Sequence, residues 1–178
     1  MASKLRVDSI LPVDGAPTNG GGGIIQIVHV NTSDHTYSTS TSYTDITGVT
    51  ATITPKFNTS KILIQCTLAV SKSNSYTFLG RILRNGSVIT GSGGVAEADH
   101  GNQIDGAWWS VRNTTYNASP YTVSYLDSPA STSALTYKAQ GQTQNSSAPF
   151  AINRTVSSDN ESFASPAFSM ITLMEVSA

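Results

Sequence analysis

The chain has 178 residues, a charged fraction of 12% and a formal net charge of −1. This length allows one domain with its own core and a short extension, and the balanced charge gives no reason to expect nucleic-acid binding, which requires a basic face. Few charges beside many Ser, Thr, Asn and Gly indicate a surface solvated by neutral polar groups, whereas the grouping of apolar residues into runs excludes a disordered chain. Cys66 is the single cysteine, so no intrachain disulfide can form, and its place in the apolar run KILIQCTLAV predicts a buried side chain rather than a nucleophile.

Residues 1–23 are predicted to form an extended attachment arm that ends in a glycine-rich hinge. Pro12 and Pro17 exclude a helix across the arm, and its aliphatic side chains would be buried against another surface. A disordered tail is the alternative, but a solvated tail would not need so many aliphatic residues. The arm residues are Leu5, Val7, Ile10, Leu11 and Val13, and the hinge residues are Gly20, Gly21, Gly22 and Gly23.

The same segment does not have the pattern of a signal peptide. Its apolar stretches are short and are interrupted by Arg6, Asp8, Pro12 and Asp14. No run of the chain approaches the length of a membrane span, so we expect no membrane insertion. We therefore expect the protein to fold in a cytosol.

Residues 24–178 are predicted to form the second unit, a β-sandwich domain. Apolar residues after the hinge recur with a period of two, which is typical of strands, and no window has the period of a helix. Strands are predicted at 24–30, 49–54, 61–70, 76–83, 88–90, 107–115, 121–126, 135–142, 150–156 and 168–176, with a short edge strand at 43–46. About eight to ten short strands separated by turn residues indicate an all-β fold, an antiparallel β-sandwich or jelly roll.

Three strand pairings are predicted. Asn85-Gly86 between two apolar runs is the signature of a two-residue hairpin turn. The strands at 107–115 and 121–126 are expected to pair with each other. The first and last strands, 24–30 and 168–176, are expected to pair within one sheet.

Residues with the spacing of a catalytic or metal site are missing from the sequence. The histidines His29, His35 and His100 follow no metal-ligand spacing, and His29 is predicted to be hydrogen-bonded at the edge of an apolar face. Asp99-His100 would bind a metal only within a loop, and the alternative is a solvated loop. No nucleophile elbow or phosphate-binding loop occurs, and the carboxylates are scattered. The sequence therefore predicts a protein that is not an enzyme and has no catalytic residue, metal or cofactor.

Four aromatic residues could contact a neighbouring subunit, a ligand or the core. Trp108 and Trp109 are adjacent, so one of the two side chains would face outwards from a strand. Such a side chain contacts a neighbouring subunit or stacks on a ligand such as a sugar ring, unless both tryptophans belong to ordinary core packing. Tyr116 and Tyr121 flank the next turn and would extend the same contact surface.

Four stretches of the chain resemble small structural proteins of tailed phages, especially those of cyanobacteria and aquatic bacteria. Residues 47–63 resemble a recurring T-G-x-x-A-T-I-T-P-x-x-x-x-S-K-I-L pattern of these fibre-type proteins. The other stretches are SKLRVDSILPVDGAPTNGGGGIIQIV at 3–28, SYLDSPASTSALTYKAQGQ at 124–142 and ITLMEV at 171–176. Together they cover much of the chain, and their motifs are structural rather than catalytic.

The resemblance implies a homotrimeric β-sandwich head, similar to fibre knobs and tumour-necrosis-factor-like folds, on an N-terminal attachment arm. It implies a fibre or decoration subunit of a virion, assembled in the host cytoplasm and joined by the arm to a capsid, neck or tail protein. A lectin-like module that binds a host surface glycan is the alternative function. A depolymerase or other hydrolase is a third hypothesis, which no motif favours.

Overall fold

The computed structural model describes residues 23–73, 76–89, 109–111, 117–157 and 167–177. These residues form short strands joined by turns and loops, and none of them is helical. The strands are β1 (Ile24–Thr32), β2 (Thr36–Ser38), β3 (Thr44–Ile53), β4 (Lys61–Lys72), β5 (Phe78–Arg84), β6 (Ser87–Val88), β7 (Trp109–Val111), β8 (Ser119–Asp127), β9 (Leu135–Thr143), β10 (Phe150–Ile152) and β11 (Ser169–Val176).

The described strands form two antiparallel sheets. In sheet A the order is β1-β11-β4-β10-β2, and β8 pairs with β4 along its other side. In sheet B the order is β3-β9-β5-β6, and β7 also pairs with β5. The first and last strands, β1 and β11, pair over almost their whole length, which confirms the predicted pairing of the two ends of the domain.

The inner faces of the two sheets share one hydrophobic core. Strand β4 contributes Ile62, Ile64, Cys66 and Leu68 from a single face, all fully buried. This is the face that the period of two predicted, and Cys66 is the buried side chain expected of it. Burial also raises the pKa of the Cys66 thiol, because no water reaches the thiolate. The all-β prediction is confirmed, whereas the jelly-roll order and the fibre-knob likeness stay predictions.

One turn and one irregularity within a strand depend on residues that tolerate a positive φ. Asn85 and Gly86 have φ values of 49° and 83°, as a type I′ turn requires, so the predicted hairpin between β5 and β6 is confirmed. Gly48 has φ of 76° within a register shift of β3, and a Cβ there would collide with the side chain of Thr32. The shift allows β3 to continue as one strand where the sequence predicted two.

Other predictions about the strands were wrong in part. The segments at 107–115 and 121–126 do not pair in the described residues, because β7 pairs with β5 and β8 pairs with β4. The short strand β2 was not predicted, since its sequence Thr36–Ser38 has no apolar alternation. Strand β10 is shorter than predicted because Asn153 follows it with φ of 60°.

Candidate functional site

Most residues that the sequence singled out lie outside the described part of the chain. These are the arm residues Leu5, Val7, Ile10, Leu11 and Val13, the hinge residues Gly20, Gly21 and Gly22, and the aromatics Trp108 and Tyr116. Gly23 is described and is exposed just before β1. The backbone of Trp109 pairs with Gly80 in β7. Tyr121 is half-buried on β8 and packs against the core.

Within the described ranges, no three His, Cys, Asp or Glu side chains lie close enough to hold a metal ion. Asp99 and His100, which the sequence analysis considered as a metal pair, lie outside those ranges. His29 is exposed on β1 and its Nδ1 lies 2.8 Å from the Thr172 hydroxyl, so the predicted hydrogen bond is confirmed. The described residues include no helix that is long and apolar enough to cross a membrane.

An apolar row crosses the outer face of sheet A. It consists of Ile27, Met174, Leu63 and Leu126, which lie directly opposite one another on β1, β11, β4 and β8. Ile27 is 59% exposed and Leu126 is 45% exposed, while the two central side chains are half-buried. Three strand spacings give the row a length of about 15 Å. We call these four residues the outer apolar row.

Further apolar side chains are exposed near the outer apolar row. Ile24 lies beside one end of the row, and Met170 lies on the same face of β11, four residues from Met174. The intervening cross-strand row is neutral and polar and consists of His29, Thr172, Gln65 and Ser124. The face therefore has uncharged hydrogen-bonding groups on one side of the outer apolar row and the exposed Lys61 on the other. An apolar centre with polar groups around it is found at protein interfaces.

A polar cluster joins the two sheets at one end of the sandwich. Arg84, the last residue of β5, directs Nη1 to both carboxylate oxygens of Asp127 on β8, at 2.8 and 2.7 Å. The Tyr137 hydroxyl on β9 donates to Oδ2 of the same carboxylate at 2.6 Å. Asp127 is 4% exposed and Tyr137 is fully buried, so the carboxylate is held by three hydrogen bonds away from water.

The electrostatics of this cluster follow from burial and from the shared carboxylate. Burial raises the pKa of Tyr137, and its hydrogen bond to the Asp127 carboxylate raises it further, because an anionic acceptor holds the hydroxyl proton. Burial alone would lower the pKa of Arg84, but its contact with Asp127 outweighs burial and raises that pKa. Tyr137 is therefore a neutral donor and Arg84 a permanent cation.

A cleft of about 470 Å³ opens beside this cluster. Its volume is within the range of small-molecule sites, about 300–1,000 Å³. The side chains that line it come from the β5–β6 hairpin and from the end of β8 and its turn: Arg84, Asn85, Ser87, Val88, Ile89, Tyr125, Leu126, Asp127 and Ser128. Arg84 and Asp127 are the charged members of this lining, and they are paired with each other.

The cleft was not predicted from the sequence, although the sequence contains two signals for it. Arg84 and Asp127 are charged residues that end their strands immediately before a turn, at Asn85-Gly86 and at Ser128-Pro129. Each occupies a position whose side chain points between the sheets, beside Tyr137 and Ile62 respectively. Two inward charges of opposite sign predict an inter-sheet pair only if the ends of β5 and β8 meet, which no local pattern reveals.

A second buried polar group, Lys72, lies at the end of β4. Its Nζ donates to the carbonyl oxygens of Ser73, Ala148 and Pro149. Burial lowers the pKa of Lys72 to about 8, because the charged form is desolvated. These contacts tie the end of β4 to the loop before β10, so we interpret Lys72 as a structural residue.

No protein-family model and no curated protein sequence matches the chain.

Proposed function

We propose that the chain is a non-enzymatic structural subunit of a tailed-phage virion, a homotrimeric fibre or decoration protein. The observation that carries the oligomeric part of this proposal is the outer apolar row. An exposed, continuous apolar row across four strands is costly in water and is covered when a second copy packs on it. The neutral polar residues on one side of the row, His29, Thr172, Gln65 and Ser124, would hydrogen-bond across such a contact.

The phage context of the proposal is supported by the resemblance of the sequence. The segment 47–63 forms the end of β3, the turn and the start of β4, and the segment 124–142 covers the end of β8 and most of β9. All four residues of the outer apolar row, Ile27, Leu63, Leu126 and Met174, lie in stretches that carry this resemblance. The trimeric state is taken from the resemblance, and the outer face of sheet A is the surface that we assign to it.

The oligomeric state can be tested by native mass spectrometry and light scattering of the purified chain over a range of concentrations. We expect a mass three times that of one chain at micromolar concentration. A monomer at every concentration would contradict the proposal, and a stable dimer would retain the interface but reject the trimer.

The attachment arm, residues 1–23, is the second part of the proposal. It would bind a capsid, neck or tail protein through its aliphatic residues, while the sandwich projects from the particle. Deletion of residues 1–22 leaves every described strand intact, so the truncated protein should remain a folded oligomer but should no longer join particles. Normal incorporation of the truncated protein into particles would reject the anchoring role. Density for the subunit in whole particles would locate it on the head, neck or tail.

A second candidate function is recognition of a host surface glycan, and the cleft beside Arg84 favours it. The cleft presents amide and hydroxyl groups, the Tyr125 ring and a charged side chain, which are the groups that bind sugars. The predicted stacking role of Trp108 and Trp109 stays a separate proposal for the same function. Binding of host envelope polysaccharide to the intact protein, measured on a glycan array, tests this function, and no binding to any glycan would reject it.

A further inference from the structure

The guanidinium of Arg84 is only partly used by the inter-sheet cluster. Its Nη1 donates to both oxygens of Asp127 and the guanidinium also interacts with the Tyr137 hydroxyl, whereas neither Nε nor Nη2 has a hydrogen bond of ordinary geometry to a described residue. These two nitrogens form one edge of the guanidinium plane, with two parallel N–H groups. The Arg84 side chain is 34% exposed and lines the cleft, so solvent reaches this residue.

The Asp127 carboxylate, in contrast, is not available to accept hydrogen bonds from a ligand. Its Oδ2 accepts from Arg84 and Tyr137, its Oδ1 accepts from Arg84, and its side chain is only 6% exposed. Asp127 therefore holds the guanidinium at Nη1, and the N–H groups of Arg84 are the hydrogen-bonding groups that the cluster presents to a ligand. A ligand group that supplies two acceptor oxygens in one plane matches this edge, and a carboxylate has that geometry.

The other residues that line the cleft indicate which class of ligand would bear this carboxylate. The Asn85 Oδ1 accepts the Thr136 amide, which orients the Asn85 side chain at the rim and leaves its NH₂ group as a donor. Ser87 and Ser128 add hydroxyl groups, and Tyr125, which is half-buried and packs in part against the core, adds one edge of its aromatic ring. Several hydroxyl-binding groups beside a ring surface are suited to a saccharide, whose rings present both hydroxyls and apolar C–H faces.

We propose that the cleft binds an acidic saccharide, with the carboxylate of a uronic acid unit on the Nε–Nη2 edge of Arg84. This inference rests on the second proposed function, glycan recognition, and specifies its ligand class and its site. Asp127 and Tyr137 are positioning residues in this site, because they contact Arg84 or one another rather than the ligand.

Isothermal titration calorimetry with three saccharide probes tests the inference: oligogalacturonate, its methyl ester and a neutral galacto-oligosaccharide. We expect the intact protein to bind oligogalacturonate at least tenfold more tightly than either uncharged probe. Methyl esterification removes the carboxylate charge without changing the protein, so this comparison does not depend on the folding of any variant. Equal binding of all three probes would overturn the carboxylate inference but leave glycan recognition standing. Binding of none of them in this cleft would overturn the inference, whereas glycan recognition fails only if no polysaccharide binds the protein at all.

Arg84→Lys supplies the matched protein variant. Lysine keeps the positive charge beside Asp127 but lacks the two-nitrogen edge, so affinity for oligogalacturonate should fall at least tenfold. Lys138→Met is the control, because it removes a cation from the outer face of sheet B and should leave this affinity unchanged. Unchanged binding by Arg84→Lys would overturn the assignment of the edge. A carboxylate-terminated peptide that binds as tightly as oligogalacturonate would overturn the saccharide class.

Discussion

The outer faces of the two sheets differ in how their side chains are satisfied. On sheet A the outer apolar row exposes Ile27 and Leu126 and finds no cover among the described residues. On sheet B the outward side chains of β3 and β9 are polar and bond to each other. Asp45 accepts hydrogen bonds from Lys138 at 2.6 Å and Gln140 at 2.7 Å. The polar side chains on the outer face of β3 and β9 are hydrogen-bonded without a partner protein. Covering the outer apolar row of sheet A with another surface would lower the free energy, because apolar area would be removed from water.

The polar network on sheet B extends to the neighbouring strand. Arg81 on β5 donates from Nε to the side-chain Oε1 of Gln140 at 2.9 Å, and its guanidinium lies 3.9 Å from the centre of the Tyr43 ring. Thr52 and Thr136 share a hydrogen bond of 2.9 Å between opposite strands. Cross-strand pairs of this kind stabilise a sheet locally and need no partner. The difference teaches that the outer face of β3 and β9 satisfies its polar groups internally, whereas the outer face of sheet A leaves an apolar row exposed.

The largest expected effect comes from breaking the outer apolar row. In Ile27→Glu combined with Leu126→Glu, the two exposed ends of the row become charged, and we expect association to weaken by about 100- to 1,000-fold. Light scattering across a dilution series measures this change. The matched control places the same charges on sheet B as Thr50→Glu with Thr136→Glu, at exposed or half-buried positions of β3 and β9, and should associate like the wild type. Equal weakening by both double variants would contradict the assignment of the interface to sheet A.

The next largest effect is expected on stability, from the buried carboxylate of Glu175 on the inner side of β11. Glu175 lies between Met174 and Val176 on β11 with its side chain on the opposite face, and it is fully buried. Its carboxylate accepts from the Lys56 amide at 2.7 Å and from the Gln26 side chain at 2.6 Å. Glu175→Gln replaces one acceptor by a donor facing these donors, so we expect the free energy of unfolding to fall by about 1–3 kcal/mol. Denaturant unfolding measures it, and an unchanged midpoint would show that the carboxylate is dispensable.

The contribution of the Glu175 carboxylate to stability should depend on pH. Burial by itself would raise the pKa of Glu175, but hydrogen bonds from its neighbours, including Gln26 and the Lys56 and Phe57 amides, lower it below the ordinary value. A depressed carboxyl pKa adds stability above the unfolded-state pKa, about 4.3, and this stability is lost as pH falls through the lower folded-state pKa. We therefore expect the stability difference between wild type and Glu175→Gln to shrink below pH 4. A difference that stays constant down to pH 2 would reject this explanation.

The smallest effect is expected on the solvated face. Hydrogen bonds from Lys138 and Gln140 lower the pKa of Asp45, but the Asp45 side chain is 55% exposed and solvent screens its charge. Asp45→Asn should therefore cost less than about 1 kcal/mol of unfolding free energy and should leave association unchanged. Unfolding in low and high salt measures this, and the small difference from wild type should decrease at high salt. A loss comparable to that of Glu175→Gln would mean that the network on sheet B is structurally essential.

Much of the fold was predictable because its signals are local. The alternation in β4 and the Asn85-Gly86 turn depend on neighbouring residues, and the structure confirms both. The errors lie where local signals are weak or compete. Gly48 allows β3 to pass through a register shift that resembles a turn in sequence. Strand β7 pairs with β5 in sheet B rather than with β8, the next strand along the chain.

The sequence by itself determined the class of fold, the strand faces, the buried state of Cys66 and the absence of any recognisable catalytic motif. The tertiary structure alone decided which outward residues lie together. Ile27, Leu63, Leu126 and Met174 are each unremarkable in their own strands, and they form the outer apolar row only because the registers of three long-range strand pairs coincide. Arg84 and Asp127 likewise meet because β5 and β8 end at the same edge of the sandwich. Periodicity reports which face a side chain is on, whereas register and sheet packing, which are long-range, decide its neighbours.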